Sequence, residues 1–153
     1  MKTHSNEKYR AMRCRVYLVR ETNNQEEIPL CSADQIHELV RDELVTSDRE
    51  IMLSVLLTIK NHLIGIETVA IGSLNLTCLV PREVFKGAIL ANAATIVLCH
   101  NHPSGDPTPS KEDIHLTEEM MKAGKLLGIR VLDHIIVSNQ GYVTIHDYHN
   151  FTI

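Results

Sequence analysis

The segment from Thr95 to Gly128 constrains the fold more than any other part of the chain. Thr95 to Cys99 is short and apolar, which predicts a buried strand. A loop rich in Pro and Gly follows, and Ser110 then begins a helix that Gly128 ends, because Ser is a favoured N-cap and Gly a favoured left-handed C-cap. A strand that leads through a stiff loop into a long helix is typical of α/β folds, so we expect an α/β domain.

Shorter elements of both kinds surround this unit. Ser32 and Gln35 form the S-x-x-Q pattern of a capping box, and Ile36, Val40 and Leu44 follow at helical spacing. Further elements are predicted as a helix from Pro81 to about Ala93, a turn over residues 22–27, and strands over residues 12–19, 51–59, 63–70, 131–137 and 142–145.

Length and composition predict one globular domain. The 153 residues are 44% apolar and 22% charged, and no repeat or linker divides them. Residues 1–29 are predicted to add a strand and a turn to the domain formed by residues 30–153. The start lacks the apolar core of a signal peptide, no run is long enough for a membrane span, and no cysteines are spaced C-x-x-C. We therefore expect a cytoplasmic protein with free thiols.

The charge balance does not support direct binding to nucleic acid. Nineteen acidic residues outnumber fifteen basic ones, the formal net charge is -4, and only 4% of residues are aromatic. Nucleic-acid modules usually show a basic excess or stripe, and many stack bases on aromatic rings. The densest basic stretch, between Lys8 and Arg15, is followed by acidic residues, and we interpret it as the solvated side of an edge strand.

Three residues of the opening segment predict a metal site. His100 and His102 lie two residues apart at a strand end, so their imidazoles point to one side of the backbone. Asp113 lies just inside the next helix, which the stiff loop can fold back over the strand end. Two His and one carboxylate are a common catalytic zinc set. The alternative is that Ser110 and Asp113 are only a helix-start pair, favoured by the macrodipole.

The same segment resembles a known signature. From His100 to Asp113 the chain matches H-x-H-x7-S-x-x-D, the pattern of the JAB/JAMM metallopeptidases. Four stretches are similar to the RadC-like branch of that family, and the similarity covers roughly residues 30–147. These stretches are Gly72-Ser73-Leu74-Asn75, Pro81-Arg82-Glu83-Val84-Phe85, His100-Asn101-His102-Pro103-Ser104-Gly105-Asp106 and Leu132-Asp133-His134.

The resemblance implies a fold and a cofactor. The fold is a cytidine-deaminase-like single α/β domain with a mixed, curled sheet flanked by helices. The cofactor is one Zn²⁺ per chain, held by His100, His102 and Asp113. Ligand softness also favours zinc over Fe²⁺ or Mn²⁺. Many RadC-like proteins carry a helix-hairpin-helix module associated with DNA, but the first 30 residues here are too few and too strand-like for one.

The resemblance also implies catalytic residues. Glu50, just before a buried strand, matches the family's general base, with Glu67 on the returning strand as its competitor. Ser110 caps the helix, and the resemblance adds help in holding an oxyanion. Asp133 and His134 either support a ligand or are an ordinary strand-end pair.

Three functions follow as hypotheses. The leading one is a zinc-dependent peptidase or isopeptidase that uses an activated water, with a peptide or isopeptide as its substrate. The second is a DNA-repair-associated factor, as RadC-like proteins are traditionally described. The third is a metal-binding interaction module without catalysis. Three other residues receive no role: Cys99 is expected in the core, and His146 and His149 on the surface.

Overall fold

The computed structural model describes residues 15–16, 19, 29–72 and 79–148, which form four helices and five strands. In chain order these are α1 (Ala33–Val45), β1 (Ile51–Leu57), β2 (Leu63–Ile71), α2 (Pro81–Leu90), β3 (Thr95–Asn101), α3 (Lys111–Leu127), β4 (Arg130–Ser138), β5 (Gly141–Thr144) and α4 (Ile145–Tyr148). Within the described ranges, no helix is long and apolar enough to cross a bilayer. Apart from three isolated positions, the elements predicted over residues 12–19 and 22–27 lie outside those ranges, as does His149.

The strands form one mixed sheet in the order β2-β1-β3-β4-β5. β1 pairs antiparallel with β2 and β3, β3 pairs parallel with β4, and β4 pairs antiparallel with β5. A parallel pair needs a long crossover, and α3 provides it. All seven residues of the interior strand β3 are buried. The prediction of an α/β domain with a mixed sheet flanked by helices is confirmed.

Helix α1 covers one face of the sheet, and α2 and α3 cover the other. Because side chains alternate along a strand, odd-numbered residues of β1 and β3 face α1 and even-numbered residues face α2 and α3. The α1 side includes Ile36, Val40, Leu44, Leu53, Val55, Val97 and Cys99, and the opposite side includes Met52, Leu56, Val84, Phe85, Ile96, Leu98, Leu116 and Met120. Cys99 thus lies in the core, as predicted, and burial raises the pKa of its thiol. The two described cysteines, Cys31 and Cys99, are free.

Local signals in the sequence fix the ends of α3. Ser110 is the N-cap, and Gly128 takes the left-handed conformation at φ 71°, both as predicted. In the loop before the helix, Gly105 has φ 92°, and a Cβ there would lie 3.0 Å from Asn139 Oδ1. Glycine suits this position on both counts. The loop therefore returns the start of α3 to the carboxyl end of β3.

Three element boundaries differ from the sequence prediction. β1 stops at Leu57 rather than residue 59, because Thr58 Oγ1 accepts from two following N–H groups and starts the turn. α2 ends at Leu90 rather than near Ala93, because Asn92 has a positive φ of 55°. β3 continues to Asn101, so His100 is part of the sheet.

Candidate metal centre

The carboxyl end of β3 carries two of the predicted ligands. His100 lies within the strand, and the N–H of His102 still donates to the Val137 carbonyl of β4 at 2.9 Å. Since residues two apart on a strand project to one face, both imidazoles lie on the α3 side of the sheet. The His100 side chain is fully buried, whereas 15% of the His102 side chain is exposed.

The first turn of α3 carries the third predicted ligand. Asp113 Oδ2 accepts from the Ser110 N–H at 2.7 Å and from the Ser110 hydroxyl at 2.6 Å, and Ser110 Oγ accepts from the Asp113 N–H at 3.1 Å. This is a capping box, so the helix-start interpretation is correct. Asp113 Oδ1 is buried and receives no hydrogen bond within the described part of the chain. One carboxylate oxygen is therefore left for another partner.

The three side chains converge on a common point. His100 Nε2 lies 3.0 Å from His102 Nε2 and 3.3 Å from Asp113 Oδ1, and His102 Nε2 lies 3.5 Å from Asp113 Oδ2. Ligand atoms placed tetrahedrally at about 2.1 Å from an ion are separated by about 3.4 Å. The spacing, the two imidazoles and the orphaned buried carboxylate oxygen all fit a divalent cation. The group could therefore hold a metal ion.

Electrostatics tie Asp113 to the two histidines. Burial alone would raise the pKa of Asp113, but hydrogen bonds from His100, His102 and Ser110 hold it well below its usual range. The hydrogen bond to Asp113 is the main reason that the pKa of His102 is raised, although burial opposes it. His102 Nδ1 lies 2.8 Å from the Asp106 carbonyl oxygen, to which it donates. In the metal-free protein the carboxylate is thus stabilised by partly positive neighbours.

His134 supports His100 from the adjacent strand. His100 Nδ1 lies 2.8 Å from His134 Nε2, and His134 Nδ1 lies 2.7 Å from Thr117 Oγ1. His134 is fully buried, and burial lowers its pKa well below the ordinary value. Asp133 does not join this chain, because its Oδ1 accepts from the N–H groups of His134 and His146.

Thr117 was not singled out from the sequence. It follows Asp113 by four residues, the spacing that places two side chains on one face of a helix. That spacing was the signal available, but it does not identify the partner on β4. The surface prediction for His146 agrees with the exposed side chain found there.

Glu50 is brought to the same end of the sheet. In the β1–β3 register Met52 is opposite His100, so continuing the pairing by two residues sets Glu50 opposite His102 and on the same face. Asn101 fixes the backbone here: its Oδ1 accepts from the Ile51 N–H at 2.7 Å, and its Nδ2 donates to the Arg49 carbonyl at 2.8 Å. The Glu50 carboxylate also contributes to the raised pKa of His102.

Glu67 occupies a different place. It pairs with Ser54 on β1, and its carboxylate packs against Gly87 of α2, where any Cβ would overlap it. Burial raises the pKa of Glu67, and the positive charge of Lys86 opposes that shift. The carboxylate that competed with Glu50 in the sequence is therefore held under α2 rather than among the three ligands.

Comparison with known proteins places the chain in a family. A family model described as RadC-like JAB domain matches residues 30–150. A UPF0758 protein of Methanosarcina barkeri is 45% identical over 118 residues, 77% of this chain and 52% of the relative. UPF0758 proteins of Caldanaerobacter subterraneus and Desulfitobacterium hafniense are 43% and 47% identical over 82% and 76% of this chain, and the aligned parts are 55% and 51% of those relatives.

This chain spans about half the length of the curated relatives that it matches. Their names state no activity. Both the family model and the relatives cover most of the present sequence, including the two histidines and Asp113. The chain belongs to the RadC-like JAB domain family.

Proposed function

We propose that this chain is a zinc-dependent hydrolase that cleaves peptide or isopeptide bonds with one zinc ion per domain. The observation that carries the proposal is the convergence of His100, His102 and Asp113, with one buried carboxylate oxygen left without a hydrogen bond. Three protein ligands leave a fourth place open, as in catalytic rather than structural zinc sites. Zinc bound there supplies a Lewis acid that makes water acidic enough to react near neutral pH.

Glu50 is the proposed general base. A carboxylate is needed to take a proton from the attacking water and to return it to the leaving amine. Glu50 suits this task because the β-sheet register sets it opposite His102 on the face of the ligands. The Asn101 side chain bridges the peptide groups on either side of Glu50, which limits the movement of its backbone. Glu67 lacks this placement.

Ser110 is proposed to assist at the same centre. Its hydroxyl donates to Asp113 Oδ2 at 2.6 Å and so orients the carboxylate. A hydroxyl has one proton, so help to a substrate oxyanion, as the family resemblance implies, requires Ser110 to exchange this bond for one to the substrate. Orientation of Asp113 is the role that the contacts favour, and stabilisation of the oxyanion stays a prediction.

A comparison of two glutamate variants tests the proposal. Zinc-loaded protein is incubated with a peptide library and a library of Lys-linked isopeptides, and cleavage is followed by mass spectrometry. We expect Glu50→Gln to retain zinc but lose about 10²–10⁴-fold in turnover, the range typical of general acid–base catalysis. Glu67→Gln is the matched control, because the same change is made at the carboxylate under α2, and it should retain both zinc and turnover.

Two outcomes would contradict the proposal. Equal turnover in the parent and Glu50→Gln would remove Glu50 as the base. Stoichiometric zinc without cleavage in either library would reject the hydrolase in favour of a metal-binding interaction module.

A further inference from the structure

A closed ring of hydrogen bonds lies behind the metal site and is not used by the proposed chemistry. It runs from His100 to His134 on β4 and to Thr117 on α3, whose hydroxyl donates to the Asp113 main-chain carbonyl at 2.7 Å. The ring returns to His100 through the Asp113 carboxylate, 3.3 Å from His100 Nε2. All four residues are fully buried.

The positions of the protons in this ring follow from its chemistry. A threonine hydroxyl has one proton, and a carbonyl oxygen can only accept, so the Thr117 proton is used on Asp113. The Thr117 oxygen must then accept from His134 Nδ1–H. The two partners of the His134 ring are a hydroxyl and an imidazole rather than a carboxylate. A fully buried imidazolium without a carboxylate in contact is costly, so this ring is neutral.

A neutral ring protonated at Nδ1 has a lone pair at Nε2. His134 Nε2 therefore accepts from His100 Nδ1–H across the 2.8 Å contact. That leaves Nε2 of His100 facing His102 and Asp113 as the nitrogen able to bind an ion. With the opposite tautomer of His134, a neutral His100 would carry its proton on Nε2, in the place of the ion.

We propose that Thr117 and His134 are positioning residues that select the metal-binding tautomer of His100 and fix the orientation of its ring. Ligand histidines generally donate their second N–H to a carboxylate, a main-chain carbonyl or water. Here the acceptor is a second histidine, oriented in turn by a hydroxyl on the helix that carries Asp113. Because this role rests on the metal site of the proposed function, its test must succeed or fail independently of cleavage.

The first test uses the metal-free protein. Long-range ¹H–¹⁵N correlation spectra of the imidazoles report which nitrogen of each ring is protonated. We expect the Nδ1–H tautomer at His134 and a proton on Nδ1 of His100. In Thr117→Val the shape is kept and the acceptor is lost, so His134 should no longer favour that tautomer, whereas Thr117→Ser should preserve it. A proton on Nε2 of His134 in the parent protein would overturn the proposal, whatever the protein hydrolyses.

The second test measures zinc affinity by competition with a chelator. His134→Leu removes the acceptor for His100, whereas the side-chain amide of His134→Gln can accept from His100 and donate to Thr117. We expect zinc binding about 10–100-fold weaker in His134→Leu than in the parent, and largely recovered in His134→Gln. Thr117→Val and Thr117→Ser form a second pair, expected to differ in the same direction.

The pairs separate positioning from folding. If His134→Leu does not fold, the threonine pair carries the test, because valine and threonine have nearly the same shape. Equal zinc affinity within the threonine pair, together with unchanged circular dichroism, would overturn the proposal. If the affinities differ as expected and no substrate is cleaved, the positioning role stands and only the hydrolase proposal fails.

Discussion

His100 and His102 lie two residues apart on one strand, yet their surroundings differ. His100 is fully buried, and side chains from β4 and α3 hold it in place. His102 is partly exposed, and it is held by the main-chain carbonyl of Asp106 in its own loop. Tertiary packing thus supports one ligand and a local turn supports the other.

This difference divides the centre into a structural half and an accessible half. The half around His100 is part of the hydrophobic core between the sheet and α3, so a change there affects folding as well as metal binding. The half around His102 and Glu50 lies where the sheet ends, and it is the side from which a substrate could approach. Variants that separate folding from metal binding test this division.

The largest contrast is expected between alanine substitutions of the two histidines. Both should lose stoichiometric zinc. In the metal-free state, His100→Ala should cost about 3 kcal/mol in the free energy of unfolding, because it leaves a cavity and an unpaired His134. His102→Ala should cost less than about 1 kcal/mol, since its side chain is partly solvated. Urea unfolding with a chelator present measures both, and the chelator matters because a bound ion stabilises the fold. Equal losses would remove the proposed division.

A smaller effect is expected from pH. His102 has a raised pKa, so the metal-free protein carries a proton there that zinc must displace. Zinc affinity should fall about tenfold for each pH unit below that raised pKa. The stability of the metal-free fold should change in the opposite sense. The His102 contribution is complete below the unfolded value of about 6.5 and is lost as the pH rises through the raised pKa.

Calorimetry in buffers with different heats of ionisation counts the protons released when zinc binds. Release of about one proton at pH 6.5 is expected. Zinc affinity that is independent of pH between 5.5 and 8 would show that the open half binds the ion without displacing a proton.

The smallest effect is expected in the loop of the accessible half. Asp106 Oδ1 accepts from the Thr108 N–H at 2.9 Å and from the Thr108 hydroxyl at 2.6 Å, which shapes the turn whose carbonyl orients His102. Asp106→Ala keeps that carbonyl and loosens the turn, so zinc affinity should fall two- to threefold, or about 0.5 kcal/mol. Asp106→Asn retains the acceptor and should bind zinc as the parent does. A loss as large as that of His134→Leu would reverse the comparison.

Local signals made much of the fold and of the candidate site predictable. Ser110 and Gly128 mark the ends of α3 because capping depends on neighbouring residues. The three candidate ligands lie within one strand–loop–helix unit, so their convergence could be anticipated from spacing and family resemblance.

Contacts between distant elements were not predictable in the same way. His134 and Thr117 meet only because β4 pairs in parallel with β3 beneath α3, a register that no local pattern specifies. The same holds for Glu50 and Glu67. Each carboxylate is close in sequence to a buried strand, and only the pairing of β1 with β3 and the packing of α2 separate the two positions.

The two oxygens of Asp113 have different tasks, and this bears on how the centre can change in evolution. Oδ2 belongs to the start of the helix, whereas Oδ1 is open to an ion. A descendant that abandoned the ion would still gain from an aspartate here, because the helix would need its cap. Among diverged relatives, persistence of this aspartate is therefore a poor marker of a working centre. Loss of the partly exposed histidine should be an earlier sign of decay.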